Sequence, residues 1–283
     1  MQLINTRLAL TLCFLMVASK ALAGSDYQSP RTLSLGGSGH AAPLQTDPIA
    51  MNASNAAFLP AYQVTAAIHK YKGSRDNQEP RGRVATFGVL DGSQAMVPVG
   101  VLYTKRALGS VLMFGSAYKI NESWAGGLTV KTTLQSDTKP QNRDFSTSVT
   151  YRPSKSFQFA FITDNTIQRR SRSDAWGQYR EYILGTKYIL DKSVFAYFDP
   201  HYTPSREKKL GYQFGLEVAA FSDLYLRVGK SIRSLQAHLE QYGDSIGYGF
   251  GYLGPRFSLD FAISHAETDV RTRSMVASLA LMF

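Results

Sequence analysis

The chain has 283 residues, 44% of them hydrophobic and 12% aromatic, with 31 basic side chains against 21 acidic ones and a single cysteine, Cys13. One cysteine excludes a disulfide scaffold, and beyond the first two dozen residues no apolar run approaches the roughly 18 to 20 that a membrane helix needs. A basic balance invites nucleic acid, but here the excess is scattered over turns and links of a chain that opens with an export leader, so no nucleic-acid partner is expected.

Residues 1–23 read as a secretory signal peptide. Arg7 supplies the positive n-region, Leu8 to Ala18 the apolar h-region, and Ala21-Leu22-Ala23 a small-x-small cleavage site before Gly24. Cys13 lies within the leader, and Leu12 before it is too large for a lipoprotein cleavage box. Losing Arg7 and Lys20 leaves 29 basic residues against 21 acidic ones. Residues 24–60 form the next unit. From Arg31 to Pro60 they are rich in Gly, Ala and Ser and lack period-2 alternation, so they do not read as a strand. A compact non-strand segment leading a wide barrel can fill its lumen, and this one is expected to be an N-terminal plug. Asp47 and Asn55 are its expected anchors, bonding to lumenal groups such as Lys131 or Arg227.

Residues 61–283 read as an all-β unit, a transmembrane antiparallel β-barrel of about fourteen strands. Alternating segments fall at 61–72, 83–90, 95–106, 110–120, 124–135, 144–152, 156–168, 177–190, 193–202, 209–220, 224–234, 245–253, 256–266 and 271–283. Most run about 9 to 13 residues, matching the roughly 9 to 11 that a tilted strand needs to cross a bilayer and longer than a soluble sandwich prefers. Tight turns such as Asn121-Glu122-Ser123, Asp191-Lys192 and Gly254-Pro255 alternate with longer polar links, the pattern of short periplasmic turns and longer external loops. Alternation sends Val99, Val101, Phe157, Phe161, Phe214, Leu216, Phe250, Leu259 and Leu279 to one face. Thr129, Lys131, Glu181, Lys187, Gln213, Glu217, Arg227, Asp260 and Ser278 fall on the other, which hydrocarbon would not tolerate. The apolar face is therefore the lipid face. Glu217 and Arg227 point inward, nearly opposite across the turn at 221–223, as a lumenal ion pair. Basic links at Arg169-Arg170-Ser171-Arg172 and Arg206-Glu207-Lys208-Lys209 would lie near lipopolysaccharide phosphates, with outer-membrane lipid as the wider partner.

The five histidines have no metal-ligand spacing, and Ser264-His265 near Glu267 and Asp269 does not assemble a nucleophile with its base. No metal, cofactor or enzymatic activity is expected. The closing strand alternates to the last residue, Phe283. That ending is similar to the signal read by the barrel assembly machinery of bacterial outer membranes, so the cell outer membrane is the expected location and that machinery an expected partner.

Several fragments resemble one family. Gly36-Gly37-Ser38-Gly39 after Leu33 and Leu35, then Asp47, Ala50 and Asn55-Ala56-Ala57-Phe58-Leu59, is similar to the opening of FadL-like outer-membrane barrels. Ala56 stands where that pattern has Pro, and Phe58 where it has Gly. Phe114 to Tyr118 with Ala125 to Lys131, Phe214 to Glu217 with Leu226 to Gly229, and Gly249 to Gly251 with Leu259 to Ala262 resemble hairpins of FadL-like and PorV-like barrels. The FadL resemblance implies a channel for passive uptake of hydrophobic small molecules such as long-chain fatty acids, with the N-terminal segment as hatch. Leu33, Leu35, Leu44, Ile49, Met51 and Phe58 would then line a greasy path. The PorV resemblance implies a plugged barrel that transports nothing and acts as an anchor or interaction protein.

Overall fold

A computed structural model describes residues 27–73, 81–93, 96–106, 109–134, 143–167, 180–205, 208–221, 223–236, 241–267 and 272–283. The leader and the Arg169 to Arg172 link lie outside the described residues. Fourteen antiparallel strands close into one barrel: β1 (Tyr62–Gly73), β2 (Arg81–Asp91), β3 (Val99–Arg106), β4 (Gly109–Lys119), β5 (Trp124–Leu134), β6 (Arg143–Tyr151), β7 (Phe157–Asp164), β8 (Glu181–Asp191), β9 (Val194–Tyr202), β10 (Leu210–Ala219), β11 (Leu224–Gln236), β12 (Gln241–Leu253), β13 (Phe257–Glu267) and β14 (Thr272–Met282). Each strand pairs with its sequence neighbours. The seam joins β1 to β14 from Gln63 opposite Met282 to Gly73 opposite Thr272. Full closure leaves no unpaired edge in a medium that cannot hydrogen-bond to one.

Period-2 alternation sets the faces throughout. In β6, Asp144, Ser146, Ser148 and Thr150 are buried inside while Thr147 and Val149 are exposed outside. The large exposed apolar side chains, among them Phe87, Phe161, Leu184, Phe214, Phe250 and Leu259, are on the outer surface, the inside-out arrangement of a membrane barrel. At the tight-turn end aromatic rings gather in cross-strand pairs. Trp124 stacks on Tyr151 with centroids 4.2 Å apart, Phe157 on Tyr188 at 4.4 Å, and Tyr252 tilts against Phe257 at 5.4 Å. Such rings suit an apolar–water interface.

Local chemistry explains the tight turns. The Asn121 side chain accepts from the Ser123 and Trp124 amides at 2.8 and 2.9 Å, and Asp91 accepts from the Ser93 amide at 3.0 Å, side-chain turns that Asn and Asp form readily. Two strands, β3 and β7, fall furthest short of the lengths that the alternation suggests. β3 starts after Pro98, which has no amide to give the ladder, although Ala117 still donates to the Pro98 carbonyl at 3.1 Å. β7 stops at Asp164 because Asn165 turns the chain with φ 50°.

Candidate functional site

The site is the lumen, and residues 27–60 occupy it. They carry more regular structure than their composition suggests: helix α1 (Pro30–Ser34), helix α2 (Asp47–Met51) and a 3-10 turn (Ala53–Phe58). Ser29 caps α1 by accepting from the Thr32 amide at 3.2 Å, with Pro30 in the first turn where its missing amide costs nothing. After α1 the chain reverses through Gly36, Gly37 and Gly39, all at positive φ. Only glycine adopts three such angles cheaply in a run this short. The wall answers with glycines of its own. Gly215, Gly229 and Gly247 stand opposite one another on β10, β11 and β12; the backbone of Leu33 to Gly36 rests on Gly229 and Gly247, and the Leu35 and Ser38 side chains rest on Gly215. A Cβ at Gly229 would overlap the Leu35 and Gly36 backbone.

One side of the lumen holds this segment by charge and hydrogen bonds. The Arg31 guanidinium donates to Glu217 at 3.1 Å, to the Tyr197 hydroxyl at 2.7 Å and to the Ala42 carbonyl at 3.2 Å. Glu217 also receives Arg227 at 2.6 Å, and Arg227 reaches on to Asp260. Asp260 in turn accepts from Gln45 at 3.0 Å. Two cations and two carboxylates alternate, so buried charge is compensated within the network. Nearby, Asp199 accepts from the Gly39 and His40 amides at 2.7 and 2.8 Å. Further round, Gln158 donates to the Ala41 carbonyl and to Asn55, both at 2.6 Å. Thr129 on β5 donates to the Ile49 carbonyl at 2.8 Å.

The opposite side is apolar. Tyr27, Ile49, Ala50 and Ala56 pack against Leu90 of β2, Leu102 of β3 and Val111, Met113 and Ala117 of β4. Among the described residues no hydrogen bond joins the segment to β2, β3 or β4. Its attachment is therefore lopsided, bonded on the β5 to β13 side and merely in contact on the β2 to β4 side.

The structure pairs Glu217 with Arg227 directly across the β10–β11 ladder. It corrects the anchors. Asp47 reaches neither Lys131 nor Arg227; its carboxylate accepts from the Tyr27 hydroxyl and from Ser29 at 2.7 Å, inside its own segment. Both cations have carboxylate partners in the wall, Asp164 for Lys131 and Glu217 with Asp260 for Arg227. Asn55 does meet the wall, but through Gln158, while its amide donates to the Pro43 carbonyl at 2.7 Å. The greasy-path residues are also scattered. Leu33 packs on Ala262 and Val276, Leu35 lies on the glycine row, and Phe58 sits at the tight-turn mouth beneath the Arg152 guanidinium, 4.7 Å from its ring. Only Ile49 of that set joins the apolar cluster. Arg31, the segment's main attachment, was missed by sequence reasoning; the one available signal was a lone arginine in a small-residue stretch that otherwise carries only Asp47 as a full charge. Phe283 closes the seam, its amide donating to the Tyr62 carbonyl at 2.9 Å. Among the described residues no group of three or more His, Cys, Asp or Glu could hold a metal ion.

No family model matches the chain, and no curated protein matches it. Among solved structures it is similar to the CymD monoaromatic hydrocarbon channel, with TM-score 0.63 and 11% identity over 93% of this chain and 98% of that one. It is similar to the toluene transporter TbuX of Ralstonia pickettii, with TM-score 0.62 and 11% identity over 92% and 98%. It is also similar to a FadL homologue of Pseudomonas aeruginosa, with TM-score 0.60 and 9% identity over 94% and 99%. These neighbours are FadL-family outer-membrane channels, and the likeness gives this chain their fold.

Proposed function

We propose that the protein is a FadL-like channel of the outer membrane for passive uptake of hydrophobic small molecules, with long-chain fatty acids and monoaromatic hydrocarbons as candidate cargo. The observation that carries this reading is the lopsided attachment of residues 27–60. A hydrocarbon entering between Ile49, Ala50 and Ala56 and the wall residues Leu102, Val111 and Met113 breaks no hydrogen bond. It exchanges one set of apolar contacts for another. Displacing the segment from β9 to β13 instead would unpair Arg31 from Glu217 and strip the Gly39 and His40 amides from Asp199. The easy path therefore runs along β2 to β4, and the charge network is the fixed side on which the segment stays moored. Two structural neighbours are a monoaromatic hydrocarbon channel and a toluene transporter, which supports the same class of cargo.

The test is flux of a fluorescent fatty acid and of a monoaromatic probe into liposomes carrying the full chain. Faster entry than into empty vesicles is expected, with Met113→Asp slowing it while the barrel still migrates as a folded, heat-modifiable species. Equal entry into loaded and empty vesicles sinks the transport reading. If a surface protein were then recovered with the barrel in fixed proportion, a PorV-like anchoring role would replace it.

A further inference from the structure

The outer surface of the wall carries a cluster of cations that the transport reading leaves unused. At the long-link end of β14, β1, β2 and β3, Arg273, Lys72, Lys70, Arg83 and Lys105 are all exposed and occupy outward positions. Lys72 stands directly opposite Arg273, and Lys70 directly opposite Arg83. Lys105 faces Ala85, one outward position along from Arg83. Like charges placed directly across a ladder destabilise it, and here two such pairs lie side by side on one strand. Among the described residues no carboxylate lies within salt-bridge reach of any of the five. The only acidic residue on these four strands, Asp91, is at the tight-turn end of β2. Below the cations the same outward faces turn apolar, through Ile68, Phe87 and Met275.

The patch is local. At the same end, the outward positions of β5, β9 and β10 hold Leu134, Tyr202 and Leu210 instead, so this is no uniform basic girdle. We propose that β14 to β3 form a binding site for a phosphorylated glycolipid of the outer leaflet. One phosphate would lie between Arg273 and Lys72 and a second between Lys70 and Arg83, with the acyl chains on Ile68, Phe87 and Met275. Arg and Lys both serve as phosphate ligands, and head-group phosphates supply the counter-charge that the described residues of β14 to β3 lack at this end. This inference rests on the membrane-spanning reading of the barrel.

The experiment is native mass spectrometry of the full chain in nonionic detergent with added bis-phosphorylated lipid A. Retention of lipid A by the unaltered protein is expected, weakening about fivefold for each of Lys70→Gln, Lys72→Gln, Arg83→Gln and Arg273→Gln. Lys192→Gln, in a tight turn at the other end, should change nothing. Equal retention of dephosphorylated lipid A, or of a phospholipid with one phosphate, overturns the site, as does displacement of the lipid by inorganic phosphate. Undiminished retention by all four variants overturns it too. A chain that stays soluble without detergent and shows no heat-modifiable migration would instead overturn the membrane reading beneath it, a failure visible before any lipid is added.

Discussion

At the scale of single residues, the fate of the N-terminal segment is set by where charge can be buried. Glu217 sits between Arg31 and Arg227. In Glu217→Gln, Arg31 loses the one carboxylate that it pairs with among the described residues while Arg227 keeps Asp260, so the damage should concentrate on the segment. Breaking a buried pair from one side costs about 3 to 5 kcal/mol. Arg31→Met should cost less, because the Glu217 to Arg227 pair survives, and the double variant should recover part of the loss. The unfolding transitions of the three variants in detergent, compared as a cycle, check this order. Asp47 gives a pH prediction. Burial pushes its carboxyl up to about 6, against the opposing pull of the Tyr27 and Ser29 hydroxyls and of Arg31. A raised value means that the docked segment favours the neutral acid. Docking should be tightest below about pH 4, the ordinary aspartate value, and should loosen as pH rises through about 6. Protease sensitivity of residues 27–60 on either side of that range should follow this sign in the native chain and lose its slope in Asp47→Asn.

At the scale of elements, strand and segment are fitted to each other by missing side chains. Val is a better strand former than Gly, so Gly229→Val should leave the β11 ladder intact. Its Cβ has no room beside Leu35, and the backbone of α1 and the following turn must retreat. The expected outcome is normal β-content with raised conductance in planar bilayers. Unchanged conductance would mean that the glycine row does not hold the segment in place. The closing element separates assembly from stability. Phe283 is 78% exposed, its ring 6.1 Å from Tyr62, and its backbone makes two bonds across the seam. Deleting it should cost an assembled barrel only about 2 kcal/mol, roughly 1 for each hydrogen bond. If a carboxy-terminal aromatic is read before insertion, the same deletion should reduce the amount of barrel reaching the membrane far more. Normal levels of heat-modifiable protein in the truncated form would remove that role.

At the scale of the whole molecule, a fourteen-strand wall encloses more room than its own side chains fill. The remainder is taken by residues 27–60, whose buried polar groups are matched to the wall by Arg31, Asp199, Gln158, Ser148 and Thr129. The strands bond to each other and not through the segment, so a variant lacking residues 31–56 should still close as a barrel. It should pass small polar solutes and show larger single-channel conductance. The opposite result, unchanged conductance with easy cleavage of the native chain near Arg31, would describe a tail instead of a filler.

Strand positions, the outward apolar face and the Glu217 to Arg227 pair were all legible in the sequence, for one physical reason. Side-chain direction in a strand is a local period-2 property, and a tight turn fixes which residues face across it. The seam could be read as well, since an even count of strands with no free edge leaves β14 only β1 to pair with. The interior of the lumen was not legible in this way. Residues 27–60 have no period, and their partners lie far along the chain; Arg31 meets Glu217 across 186 positions. Asp47 was expected to reach Lys131 or Arg227, but Asp164, Glu217 and Asp260 hold those cations from other strands of the wall. Sequence alone determined the barrel and its two faces, because alternation and turns act over a few residues. Only the tertiary structure decided which side of the lumen binds the segment and which merely touches it, because that choice depends on how wall charges satisfy one another once the barrel has closed.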